Sequence, residues 1–131
     1  MQPVVRPARP DDPAADLLYV SAAPYYDRYA GGEARARRLL AAVYPRARHT
    51  ASWEVCRVAV VDGAVAGVLA AFPADDSEVL ARRFIRLTVG RIPPWRLPRL
   101  VRHLRASSAV SPQPPLGMLY VDALAVGEAW R

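Results

Sequence analysis

The sequence has no lysine, no asparagine, a single cysteine and two histidines. A lone Cys56 excludes an internal disulfide and any cysteine-based metal site, and His49 and His103 stand far apart with no ligand spacing between them. No apolar run approaches the roughly 20 residues that span a bilayer. The opening MQPVVRPARPDD also lacks the basic-then-apolar order of a secretory signal, so a cytoplasmic protein is expected. Because lysine is missing, all 18 basic residues are arginine, and against 12 acidic residues they give a net charge of +6. Arginine, alanine, valine and proline in place of lysine, asparagine and isoleucine is the usage a GC-rich genome imposes. A GC-rich bacterium is the expected source, checked by the base composition of the gene, and the charge then says less about partners.

What is present suffices for one core: 131 residues, 53% of them hydrophobic, make a single domain over residues 1–131. The apolar pair Val4 and Val5 predicts a first strand, and Asp12-Pro13 predicts a helix start, the carboxylate capping free amides and the proline suiting the first turn. Leu17, Leu18 and Val20 supply the apolar side of that helix until Pro24 interrupts. PYYDRYAGG reads as an aromatic loop. A second helix spans about Glu33 to Tyr44, with Ala36, Leu39, Leu40 and Val43 on one face, Arg35, Arg37 and Arg38 on the other, and Pro45 closing it. WEVCRVAVV and AVAGVLAAF read as a hairpin around the two-residue turn Asp62-Gly63. Asp75 or Asp76 is placed to cap a third helix carrying Leu80, Phe84 and Leu87, with Gly90 as its stop. After Pro93-Pro94 a shorter fourth helix sets Leu97, Leu100, Val101 and Leu104 on one face. SAVSPQPPLG reads as a loop, followed by a final strand from Met118 to Val126. The expected order is β-α-α-β-β-α-α-β, an α/β chain with a mixed sheet flanked by helices.

The closing stretch LYVDALAVGEAWR resembles the fourth strand and following turn of the GNAT acetyltransferases. Leu124, Ala125 and Val126 match the end of that strand, and Arg131 matches the first residue of the Gly-rich R-x-x-G-x-G loop. The early β-α-α segment, the Asp62-Gly63 hairpin and Gly67 in the returning strand extend the resemblance over essentially the whole chain. It implies the GNAT fold, with its C-terminal part lying beyond Arg131 and the chain an N-terminal portion. It also implies acetyl-CoA as acetyl donor, direct attack by a primary amine of a small molecule or peptide, and a pantetheine arm held by backbone groups of Leu124, Ala125 and Val126, with Arg131 opening the loop for the pyrophosphate. Anion capture of that kind relies on free amides at a helix N-terminus.

Asp122 is the only acidic residue of the final strand, and alternation puts it on one face with Tyr120 and Leu124. It is the candidate base or amine-orienting group, with Tyr120 beside it as a second catalytic candidate; the competing reading is a carboxylate paired with an arginine or bound to a neighbouring loop. Tyr25, Tyr26 and Tyr29 fall in the region that lines the acceptor pocket in the resembling family, as an apolar wall with polar tips, or else pack on the core. Eight arginines lie between Arg82 and Arg105. Their position opposite the apolar stripes, with no interleaved aromatics, favours a solvated face over a nucleic-acid surface. Cys56 reads as a small core hydrophobe and His103 as a surface residue. A reading from another class is a noncatalytic GNAT-like module that engages a protein or nucleic-acid partner, or a second copy of itself, through the arginines or an open sheet edge.

Overall fold

The computed structural model describes residues 2–110, Pro115 and residues 117–131. Four strands, β1 (Val4–Pro7), β2 (Cys56–Val61), β3 (Ala64–Pro73) and β4 (Leu119–Val126), form one sheet in the order β1-β2-β3-β4. Every pairing is antiparallel, where a mixed sheet was expected. Five helices accompany it: α1 (Ala15–Ser21), α2 (Ala23–Ala30), α3 (Glu33–Val43), α4 (Ser77–Val89) and α5 (Leu97–Val110). None of them is long and apolar enough to cross a membrane.

The expected element order holds with one addition, a third helix between β1 and β2. The tyrosine segment expected as a loop is α2, because Pro24 sits in its first turn, where a missing amide costs nothing. Gly31 and Gly32, at φ 99° and 125°, end it and turn the chain into α3. Asp12 does not cap α1, which starts at Ala15 with no side-chain cap. Its carboxylate instead takes a two-pronged contact from Arg6, at 2.7 and 2.8 Å, and the Arg9 amide at 2.6 Å. That ties the end of β1 to the turn that follows it.

The hairpin turn forms as expected, with Asp62 at φ 51° and Gly63 at φ 80°, the pair of left-handed residues that matches the twist of the flanking strands. Asp76 occupies the cap position of α4 without a side-chain bond, while Asp75 accepts the Gly117 amide at 2.9 Å and so links the start of α4 to the approach to β4. With 14 residues against 13, α5 is slightly longer than α4 rather than shorter. It takes in the first residues of SAVSPQPPLG; of that expected loop, 111–114 and 116 lie outside the described residues.

One face of the sheet carries the core. Cys56 and Val58 of β2, Val68 and Ala70 of β3, and Ala123 and Ala125 of β4 are buried there with Leu18, Tyr29, Leu39, Leu40 and Val43 from the helices. α1 lies against β3 and β4, and α3 packs on α1 and α2. Small residues on β3 and β4 let the helix layer approach closely. On the opposite face the apolar residues of the edge strand are left open, with Leu119 and Leu124 each 68% exposed.

Candidate active site

The site is built on an irregularity in β4. Ala123 pairs with Ala70 and Val121 with Ala71, so Asp122 is an extra residue with no partner on β3. Such a bulge breaks the alternation of faces. Tyr120 stands opposite Phe72, their ring centroids 5.6 Å apart, and shares the helix-side face with Ala123 and Ala125. Leu124, opposite Leu69, points to the other face. The expectation that Asp122, Tyr120 and Leu124 share one face is therefore corrected: regular alternation cannot anticipate the extra residue.

Asp122 looks toward the helices. The residue is exposed to solvent, while Tyr25, Tyr26, Tyr120 and Cys56 lie close enough to its carboxyl to displace part of its water. This desolvation pushes its pKa up to about 6. Among the described residues it forms no ion pair and no hydrogen bond, so the arginine-paired reading does not apply. Desolvation also raises the hydroxyls of Tyr25, Tyr26 and Tyr120 and takes the Cys56 thiol up to about 12, and in each the charge of Asp122 adds to the rise. Those four groups define the neighbourhood of the carboxylate. Cys56 is buried and held as a neutral thiol, a core residue rather than a nucleophile.

The three tyrosines divide. Tyr29 is 1% exposed and packs on Phe84 at 5.5 Å. The Thr88 hydroxyl donates to the Phe84 carbonyl at 2.8 Å, so its oxygen accepts the Tyr29 hydroxyl. Tyr26 is buried as well and meets Tyr25 edge-on at 5.6 Å. Tyr25 alone is open, 38% exposed; it stacks on Tyr29 at 6.3 Å and lies against His103 of α5, with centroids 4.8 Å apart. Tyr29 thus belongs to the core, and Tyr25 stands partly exposed near Asp122. His103 is half-buried against these rings instead of lying free on the surface; the aromatic partners that hold it come from α2, far away in sequence.

At the free edge of β4 the backbone is available. The Gly127 amide donates to the Ala66 carbonyl at 2.7 Å. By the alternation of an antiparallel ladder, Ala125 also directs its polar groups at β3, while Leu124 and Val126 direct theirs outward. The Val126 carbonyl receives the Arg131 guanidinium at 2.9 Å. Among the described residues the edge therefore offers the donor and acceptor of Leu124 and the amide of Val126, whose carbonyl Arg131 takes, while Ala125, expected among them, serves the sheet.

Solved structures share this fold. One described as an acetyltransferase superposes on 98% of the chain with a TM-score of 0.65 at 17% identity. The chain carries the acetyltransferase fold. An N-acetyltransferase from Staphylococcus aureus Mu50 gives a TM-score of 0.64 at 16% identity, again over 98% of the chain. The chain spans 65% of the length of the first acetyltransferase and 67% of the second. No protein-family model matches the sequence, and no curated protein matches it. The fold expected from LYVDALAVGEAWR is the fold observed, and within it the bulge at Asp122 is the feature that sequence reading missed.

Proposed function

We propose that the protein is an N-acetyltransferase of the GNAT type that uses acetyl-CoA and acetylates a primary amine, with Asp122 as the proton acceptor. The observation that carries this reading is an unpaired carboxylate lifted out of the β4 ladder and set near Tyr25 and Tyr120. A carboxylate with a pKa of about 6 is ionised at neutral pH. It is also more basic than an ordinary aspartate, which suits it to take a proton from an ammonium group directly or through water.

The outward groups of Leu124 and the amide of Val126 fit the amide-rich pantetheine arm of acetyl-CoA, which would extend the sheet along its open edge. When bound, acetyl-CoA supplies the thioester carbonyl that the amine attacks. Tyr25 presents an apolar ring and a protonated hydroxyl to the acceptor, and Tyr120 stands on the same face as the carboxylate. In this reading Arg131, held on the Val126 carbonyl at the end of the strand, supplies positive charge for the pyrophosphate.

The test is acetyl transfer by the natural protein to a panel of primary amines, read by release of free thiol. Asp122→Asn lowers the rate by about a hundredfold or more, the usual contribution of a positioned base, while acetyl-CoA binding persists. A variant as fast as the parent sinks the assignment of Asp122. Thiol release with no amine in the panel would leave the noncatalytic module as the better reading.

A further inference from the structure

A groove of about 420 Å³ runs between α2 and α5, lined by Arg28, Arg96, Arg99, Arg102, His103 and Ala106. Its lining contains four guanidinium groups and no carboxylate. Among the described residues, none of these four arginines takes part in an ion pair. Arg6, Arg37 and Arg82, by contrast, each have an acidic partner, and Arg82 belongs to a second arginine-lined pocket with Arg48, Arg83 and Arg86.

Arg96 is held in place. It donates to the Arg28 carbonyl at 3.2 Å, and its side chain lies across Gly31 so closely that a Cβ there would come within 2.5 Å of Nε. Glycine at Gly31 thus makes room for the guanidinium. The Nε of Arg96 and the Nε2 of His103 are both shielded from solvent with no hydrogen-bond partner. Shielded nitrogens without a partner are uncommon in a native fold; these two mark a cationic groove whose charge the protein leaves uncompensated, and a third, the Nε of Arg83, lies on α4. The groove adjoins the surroundings of Asp122, because His103 packs on Tyr25 at 4.8 Å and Tyr25 senses the charge of Asp122.

We propose that this groove binds the phosphate group of a small phosphorylated amine and directs its amino end toward Asp122. The direction of the amine rests on the acetyl-transfer reading, whereas the phosphate site stands on the groove alone. A carboxylate would bring one charge and leave most of the guanidinium groups uncompensated. A phosphate monoester brings about −1.5 to −2 charges and three acceptor oxygens, matched to planar guanidinium forks. A volume near 420 Å³ suits a small molecule.

Calorimetric titration of the full chain with inorganic phosphate, against sodium chloride at equal ionic strength, reads the site without turnover. Phosphate binds saturably, and Arg99→Glu with Arg102→Glu, both exposed positions, weakens it at least about tenfold. The charge-matched control, Arg38→Glu with Arg46→Glu, both exposed and outside either arginine-lined pocket, leaves the affinity within about twofold. Equal weakening in the control pair, chloride acting as well as phosphate, or an oligonucleotide binding more tightly than phosphate would each overturn the proposal. Acetyl transfer to O-phosphoethanolamine and to ethanolamine separates the two readings. Preference for the phosphorylated amine supports the groove, and equal measurable rates overturn it while the acetyltransferase reading stands. Absence of transfer to any amine, with phosphate binding intact, keeps the site and removes the acetyltransferase reading.

Discussion

Asp122 and His49 are both shifted by desolvation, with opposite consequences for stability. An aspartate that titrates at 3.8 when exposed and near 6 in the fold holds an extra proton in the native state between those values. Stability therefore falls as pH rises through that window, and the penalty is complete above it. Asp122→Asn is expected to melt above the parent at about pH 7.5, with the difference closing by about pH 4, even as it loses activity; a thermal scan at both pH values checks this. His49 is fully buried, its Nε2–H donating to the Val43 carbonyl at 2.7 Å and its Nδ1 accepting the Ala51 amide at 3.1 Å. Burial lowers its pKa below 6.5, so the stability it contributes is present above 6.5 and is lost as pH falls from there toward the depressed value. In the Asp122→Asn background this acid destabilisation is expected to stand out as a fall in melting temperature below about pH 6.5. Tyr29→Phe leaves the Thr88 hydroxyl without its donor in the core and is expected to cost about 1 kcal/mol in urea denaturation.

At the scale of elements, β4 and the hairpin differ in what they tolerate. Asp122 is the residue the ladder does without, so deleting it leaves every pair of the β3–β4 register in place. The deletion variant is expected to keep its circular dichroism and a cooperative melt while losing acetyl transfer. Deleting Leu124 has the opposite effect. The bulge closes, Ala123 moves opposite Leu69 on the open face, and Asp122 is driven opposite Ala70 into the core, an unpaired carboxylate that unfolds the chain. In the hairpin, Gly63 stands at φ 80°, and Gly63→Val is expected to cost about 1–2 kcal/mol, measured as a lower denaturation midpoint. The same turn was legible in advance because Asp-Gly encodes it locally. The helical state of PYYDRYA was not, because Pro24 breaks a helix it interrupts and starts one it precedes, and only the packing of Tyr26 and Tyr29 on Phe84 decides between the two.

For the whole molecule, the unequal faces of the sheet matter most. One is covered by helices, and on the other Leu119, Val121, Leu124 and Val126 of the edge strand stand 42% to 68% exposed. An apolar stripe beside an unpaired strand edge favours self-association. Val121→Lys with Leu124→Lys is expected to reduce the mass seen by light scattering at high concentration while leaving the circular dichroism unchanged. The arginines behave as two populations at this scale. Those of α3 form an ordinary wet face, where Arg37 pairs with Asp16 and Glu33 and lies over the Tyr19 ring at 4.4 Å. Those of α2 and α5 converge from distant parts of the chain on one groove, which no spacing along the sequence announces.

Local patterns determined most elements of this protein: the apolar stripes of α3, α4 and α5, the hairpin, and the strand LYVDALAV with the fold it resembles. These follow from side-chain period and turn stereochemistry, which act over a few residues. Three features came from tertiary structure alone. Asp122 leaves the ladder because β3 and β4 pair with unequal residue counts, Tyr25 is separated from Tyr26 and Tyr29 by what packs against each, and His103 meets α2 across the core. Each depends on which segments press together, and that is set by the shape of the assembled core rather than by any neighbour in sequence.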